Sequence, residues 1–212
     1  MKRKQLFIFD VDGTLVNSYR AIEKSLNYTR RQFGYSSITS EKVKKSVGRG
    51  DKPFVGLFFP QVHVEEALKM YRKHHEKALI RYSCLYPRTK QLLSSLKKRK
   101  KILAIASNRP AYFTNLLIKS LDIKKYFNAV YCADKIKSLK PDPKIIEIIL
   151  KRFCKKRKEA VYIGDMDIDM ETAKRAKVDA VFKKGGSSSL ISVKKYKKRV
   201  IKDLTELLFF YN

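Results

Sequence analysis

Leu6-Phe7-Ile8-Phe9-Asp10-Val11-Asp12-Gly13-Thr14-Leu15 sets an unbroken apolar run directly before two carboxylates one residue apart. On a strand, residues i and i+2 point to the same side, so a strand ending here presents Asp10 and Asp12 together at its C-terminal edge. Two anions so placed repel each other. A divalent cation between them relieves the repulsion, as does a proton that one carboxyl holds ready to donate. These are the ingredients of chemistry in which one carboxylate attacks phosphorus and the other shuttles a proton. A strand followed by a plain Asp-Gly turn fits these ten residues equally well, and later segments decide between the two.

Four more continuous apolar runs recur downstream: Ile102 to Ala106, Ala129 to Cys132, Ala160 to Ile163 and Ala180 to Phe182. Unbroken rather than alternating, they suit strands buried on both faces of a parallel sheet. Helical spacing lies between most of them, in Leu92, Leu93 and Leu96, then Leu116, Leu117 and Leu121, then Ile145, Ile146, Ile149 and Leu150. The alternation predicts a doubly wound, Rossmann-like α/β domain. Residues 16–82 break the rhythm. Ile22, Leu26 and Phe33 keep helical spacing up to Gly34, a C-cap candidate; Ser40-Glu41 starts a helix carrying Val43 and Val47; Val64, Ala67, Leu68, Tyr71 and Ala78 mark a third. An insertion of this length after the first strand reads as a small α-helical cap domain over the strand ends. Residues 1–15 and 83–212 then form the core domain.

A chain of 212 residues can bury one good core and a small second unit. Its 44% hydrophobic content excludes a disordered chain. No run reaches the roughly 18 apolar residues of a membrane span. Met1-Lys2-Arg3-Lys4 imitates the basic start of a signal peptide, but Asp10 cuts the following apolar run short, so the expected location is cytoplasmic, with no membrane partner. Cys84, Cys132 and Cys154 are odd in number and without metal-ligand spacing, and each is expected to be a buried small apolar residue. Against 20 Asp and Glu stand 49 Lys and Arg, a formal net charge of +29. Non-specific, salt-sensitive adhesion to polyanions follows from that charge. The basic clusters Lys97 to Lys101, Lys155 to Lys158 and Lys194 to Arg199 each adjoin an apolar segment and read as solvated faces and helix ends rather than a dedicated nucleic-acid site.

Four polar elements fall at the ends of these runs, at the edge where open α/β sheets bind ligands. Asp10-Val11-Asp12-Gly13-Thr14 follows the first and Ser107-Asn108 the second. Lys140-Pro141-Asp142-Pro143 opens a helix, and Gly164-Asp165-Met166-Asp167-Ile168-Asp169 follows the fourth run. In identity and order these segments resemble the haloacid dehalogenase superfamily, and within it the phosphoglycolate phosphatase-like branch with an α-helical cap. The likeness covers nearly the whole chain.

The resemblance implies a Mg²⁺-dependent phosphatase acting on a small phosphorylated metabolite, with phosphoglycolate the first candidate. Asp10 would be the nucleophile that forms an aspartyl-phosphate, and Asp12 the acid and base; an Asp at this second position separates phosphatases and phosphomutases from dehalogenases. Ser107 and the Asn108 amide would hold phosphate oxygens beside Gly13 and Thr14, and Lys140 would neutralise the charge gathered there. Mg²⁺ would be bound by Asp10, by the backbone carbonyl of Asp12 and by Asp165, with Asp169 in support. Asp167 lies outside the family pattern and reads as a helix N-terminal acid. Arg49, between Gly48 and Gly50, reads either as a clamp on a second anionic group or as an exposed turn residue. Arg88 stands where relatives often carry glycine. His63, His74 and His75 are expected on the surface of the cap helices. Related chemistries remain open at this point: a β-phosphoglucomutase-like phosphomutase, an inorganic pyrophosphatase, and a phosphatase or binding protein associated with nucleic acid.

Overall fold

β1 (Leu6–Phe9) has no exposed residue, and two parallel neighbours flank it. Leu6 to Phe9 pair with Ile102 to Ile105 of β4 (Ile102–Ser107) on one side, and with Ala160 to Ile163 of β6 (Ala160–Gly164) on the other. The sheet continues outward through β5 (Ala129–Cys132) next to β4, and through β7 (Asp179–Lys183) and β8 (Arg199–Ile201) beyond β6. All pairings are parallel, in the order β5-β4-β1-β6-β7-β8. The computed structural model describes residues 4–211. Met1-Lys2-Arg3, the head of the basic start, lies outside the described residues, whereas Lys4 is buried, donates to the Lys158 carbonyl at 2.7 Å and pairs with Asp179 at 2.8 Å.

The alternation of a strand sends Phe7 and Phe9 to one face of the sheet and Leu6 and Ile8 to the other. The first face packs on α5 (Thr89–Lys98), α6 (Ala111–Ser120) and α10 (Leu207–Phe210). The second packs on α8 (Lys144–Arg152) and α9 (Asp167–Ala176). This is the doubly wound α/β arrangement that the apolar runs predict. The chain passes from β1 to β4 on one side and returns through β6 on the other, so the crevice of a switch point opens at the C-terminal ends of these three strands. The short helix α7 (Ala133–Ile136) leads away from β5.

Between β2 (Val16–Asn17) and β3 (Cys84–Leu85), which pair antiparallel, the chain forms α1 (Tyr19–Gln32), α2 (Ser40–Ser46), α3 (Asp51–Gly56) and α4 (Val64–Tyr82). These helices share an apolar cluster of their own, with Leu26, Val43, Phe54, Leu68 and Tyr71 buried in it. Ala21, Ala78 and Leu79, nearer the two-stranded stem, join the sheet's cluster instead. Gly34 follows α1 with φ +73°, as a glycine ending a helix does. No helix among the described residues is long and apolar enough to cross a membrane.

Several expectations need correcting. Val47 follows α2 rather than riding on it, and α3 has no apolar periodicity long enough to announce itself. Pro110 and Pro143 stand directly before α6 and α8, and Asp142 accepts from Lys144 N at 2.9 Å, as a capping residue would. Cys132 is buried, but Cys84 and Cys154 are exposed, because they lie on the short stem and at the turn after α8. His75 is buried at 1% exposure, because α4 turns it inward beside Tyr71 and Ala78.

Candidate active site

Asp10 leaves β1 with its N–H bonded to the Ile163 carbonyl at 2.9 Å, which fixes the carboxylate at the end of the central strands. The chain then turns tightly: the Val11 carbonyl accepts from Leu15 N and Val16 N at 2.9 Å each, and Gly13 takes φ +83°. A side chain at Gly13 would collide with the Tyr19 hydroxyl and the Asp165 carboxylate. Thr14, two residues beyond Asp12, donates to Asp165 at 3.1 Å.

Lys140 Nζ lies 2.7 Å from Asp10, 2.7 Å from Asp169 and 3.0 Å from the Tyr162 hydroxyl. Asn108 holds the lysine's backbone, accepting from Lys140 N at 2.8 Å and donating to its carbonyl at 3.3 Å and to the Gly48 carbonyl at 2.9 Å. Ser107 is buried and accepts from Arg109 N at 3.1 Å. Asp169 is saturated: one oxygen takes Lys140 and Tyr162, the other takes the N–H groups of Asp165 and Met166 at 3.1 and 3.0 Å. Asp165 accepts from Thr14, from Ser187 N at 2.7 Å and from the Tyr19 hydroxyl at 3.2 Å. Asp167 is the first residue of α9 and takes no part.

Carboxylate oxygens of Asp10, Asp165 and Asp169 lie within 4.8 Å of one another. Burial, opposed by Lys140 and reinforced by the neighbouring carboxylates, holds the Asp10 carboxyl well above its ordinary value. Burial and repulsion from Asp169 push Asp165 up to about 7. Lys140 is raised well above its usual range, because Asp10 and Asp169 outweigh the effect of burial. Three hard anionic donors with one ammonium between them are short of positive charge, and an all-oxygen set of this kind fits Mg²⁺.

Asp12 faces a partner that the sequence did not single out. Arg109 grips its carboxylate with Nε at 2.8 Å and Nη2 at 2.7 Å, and Ser18 donates to the same group. Burial acts to raise the Asp12 carboxyl, but the Arg109 charge and these hydrogen bonds prevail and hold it below its ordinary value. Arg109 Nη1 donates to His75 Nε2 at 2.7 Å, since a guanidinium cannot accept. That assignment leaves the His75 proton on Nδ1, facing Ser25 Oγ at 3.0 Å, which in turn donates to the Ala21 carbonyl. Burial and the adjacent Arg109 hold His75 well below its usual value, so the ring is neutral.

The structure therefore brings together Asp10, Asp12, Gly13, Thr14, Ser107, Asn108, Lys140, Asp165 and Asp169. Arg49 is exposed and lines a neighbouring groove with Asp51 and Arg72, outside the cavity over Asp10, where Gly48 and Gly50 stand instead. Arg109, His75, Tyr162 and Ser187 belong to the assembly without having been anticipated. Of these only Arg109 carried a signal, its place directly after Ser107-Asn108 at a strand end.

The sequence model of a family described as haloacid dehalogenase-like hydrolase matches residues 7–183. Among curated proteins, the chain is 27% identical over 172 residues to a phosphoglycolate phosphatase of Aquifex aeolicus, covering 81% of each. It is 29% identical over 184 residues to that of Photorhabdus laumondii, covering 83% of this chain and 78% of the relative. Its fold superposes with a TM-score of 0.93 and 22% identity on a Haemophilus somnus protein described as a predicted phosphoglycolate phosphatase, covering all of both chains. A haloacid dehalogenase-like hydrolase of Streptococcus pneumoniae gives a TM-score of 0.91 at 21% identity, again over all of both chains.

Proposed function

The chain belongs to the haloacid dehalogenase-like hydrolase family, and from that premise we propose that it is a phosphatase hydrolysing a small phosphomonoester through an aspartyl-phosphate on Asp10. One observation carries the reading: Asp10 stands at the end of the central strand with one oxygen on Lys140 at 2.7 Å, beside a second carboxylate whose ionisation Arg109 controls. The free Asp10 oxygen attacks phosphorus, the bond from phosphorus to the leaving oxygen breaks, and Asp12 gives that oxygen a proton. Asp12 then takes a proton from water as the water attacks the phosphoaspartate, releasing phosphate and restoring Asp10. Lys140 balances the negative charge at both stages. The pair with Arg109 keeps Asp12 ionised, the form the second half-reaction needs; for the first, Asp12 carries a proton on one oxygen while the other stays hydrogen-bonded to Arg109.

Asp10 and Asp165 would hold Mg²⁺, with Asp169 fixing the loop behind them, and the ion would supply charge neutralisation for the phosphoryl group. Residues 16–82 form a cap in this reading, and its closure excludes water from the carboxylates. The names of the relatives make phosphoglycolate the first substrate to try. Asp10→Asn is expected to lower phosphate release at least 10³-fold while leaving the circular dichroism spectrum and melting temperature nearly unchanged; substantial residual hydrolysis by this variant would exclude Asp10 as the nucleophile.

A further inference from the structure

Opposite Asp10 and Lys140 opens a cavity of about 60 Å³. Apolar side chains from five places line it: Ile22 of α1, Val47 after α2, Phe54 of α3, Phe113 of α6, and Met166 before α9. The charged groups that line it are already matched. Lys140 is held by Asp10 and Asp169, Arg109 by Asp12 and His75, and Asp51 by Arg72 at 2.7 Å. Arg109 and Lys140 are the two cations lining the cavity, so neither is free to meet a second anion on a ligand.

One polar atom in the wall lacks a partner. Tyr71 is 3% exposed and lines the cavity, yet among the described residues its hydroxyl makes no hydrogen bond. The ring is fixed, stacked on His75 with centroids 4.8 Å apart and tilted against Phe54 at 6.0 Å. With no partner in the protein, that hydroxyl can hydrogen-bond a ligand atom that reaches it.

We propose that this cavity selects phosphomonoesters whose leaving alcohol has an apolar alkyl or ring body with at most one neutral hydrogen-bonding group, met by Tyr71, and discriminates against a carboxylate or a polyol. The inference rests on the phosphatase reading and names the substrate class of that site. A carboxylate on the leaving group would be buried among apolar side chains with no cation left for it.

The test compares phosphate release from esters paired in size: propyl phosphate with phosphoglycolate, and cyclohexylmethyl phosphate with glucose 6-phosphate, all with Mg²⁺. The apolar member of each pair is expected to show at least tenfold higher kcat/KM, with a gain of about fourfold per methylene from ethyl to butyl phosphate. Tyr71→Phe should lower kcat/KM about tenfold more for 4-hydroxybutyl phosphate than for pentyl phosphate; equal losses on both would overturn the part the proposal gives to Tyr71. Preference for phosphoglycolate would overturn the proposal, since Arg109 would have to leave Asp12 for the substrate, and preference for the sugar phosphate, or no preference, would overturn it too. Calorimetric titration with butylphosphonate and with 3-phosphonopropanoate needs no turnover, so it separates the two failures. If no ester is hydrolysed but butylphosphonate binds at least tenfold more tightly, the phosphatase reading falls and the cavity's selectivity stands; if 3-phosphonopropanoate binds as well or better, the selectivity falls on its own.

Discussion

Arg109 and Asp12 show how a single contact ties stability to chemistry. Their side chains are 8% and 14% exposed, and two short hydrogen bonds join them. Removing one partner of so buried a pair strands the other charge, whereas replacing both with apolar groups does not. Arg109→Met alone is expected to lower unfolding free energy by roughly 2–4 kcal/mol, and the double variant Asp12→Leu with Arg109→Met to recover most of that. Urea denaturation of the two single variants and the double at pH 7 measures the coupling; additive losses would mean the pair is not the source. Because Arg109 holds the Asp12 carboxyl low, the native pair contributes stability above the ordinary carboxylate value of 3.8, and that contribution is lost as pH falls through the depressed value. In Arg109→Met the sign reverses, since burial acting alone raises the same carboxyl. Arg109 was hard to single out because it is one of 49 basic residues. The geometry that gives it meaning is a long-range one, spanning α4, β4 and the turn after β1.

At the scale of elements, the loop after β7 illustrates what a motif search leaves out. Its Gly and Ser residues form no catalytic motif, yet Ser187 N donates to the Asp165 carboxylate and Ser188 N to the Asp165 carbonyl. Gly186 sits so close that a Cβ there would run into the Asp165 carboxylate, although its backbone needs no glycine conformation. Gly186→Ala is therefore expected to displace Asp165 rather than strain the chain. The Mg²⁺ concentration for half-maximal activity should rise about 10–100-fold while the fold persists. An unchanged Mg²⁺ requirement would remove the loop from the metal site. The central strands and the residues at their ends were readable because a strand buried on both faces leaves an unbroken apolar run, and each such run ends at the ligand edge. β8 escaped because it is an edge strand in which only Ile201 is buried, so Arg199-Val200-Ile201 shows no such run. Tyr162 escaped for the opposite reason: inside a fully buried strand it reads as one more apolar residue, although its hydroxyl reaches Lys140 and Asp169. Arg88 has φ +61° just before α5, a conformation that glycine favours.

Across the whole molecule, an excess of basic residues surrounds a small knot of buried carboxylates. The +29 charge draws in phosphate esters, and polyanions without discrimination. Binding to heparin or duplex DNA is accordingly expected to fall steeply with salt, and tight binding that survives 0.5 M salt would instead require a dedicated site. The carboxylates act on stability in the other direction. Asp165 titrates at about 7 in the fold against 3.8 unfolded, and Asp10 is raised as well. A carboxyl raised in this way contributes stability that is fully present below the unfolded value and is lost as pH rises through the folded one. For Asp165 the loss between pH 4 and 8 is at most on the order of 4 kcal/mol. A divalent cation that binds the ionised carboxylates opposes that loss, whereas at low pH it has to displace protons first. The rise in melting temperature on adding Mg²⁺ should therefore be several degrees larger at pH 8 than at pH 5.5, and Asp165→Asn should abolish the difference. An equal rise at both pH values, or the same difference in Asp165→Asn, would detach the metal from this cluster and leave its charge to Lys140 alone.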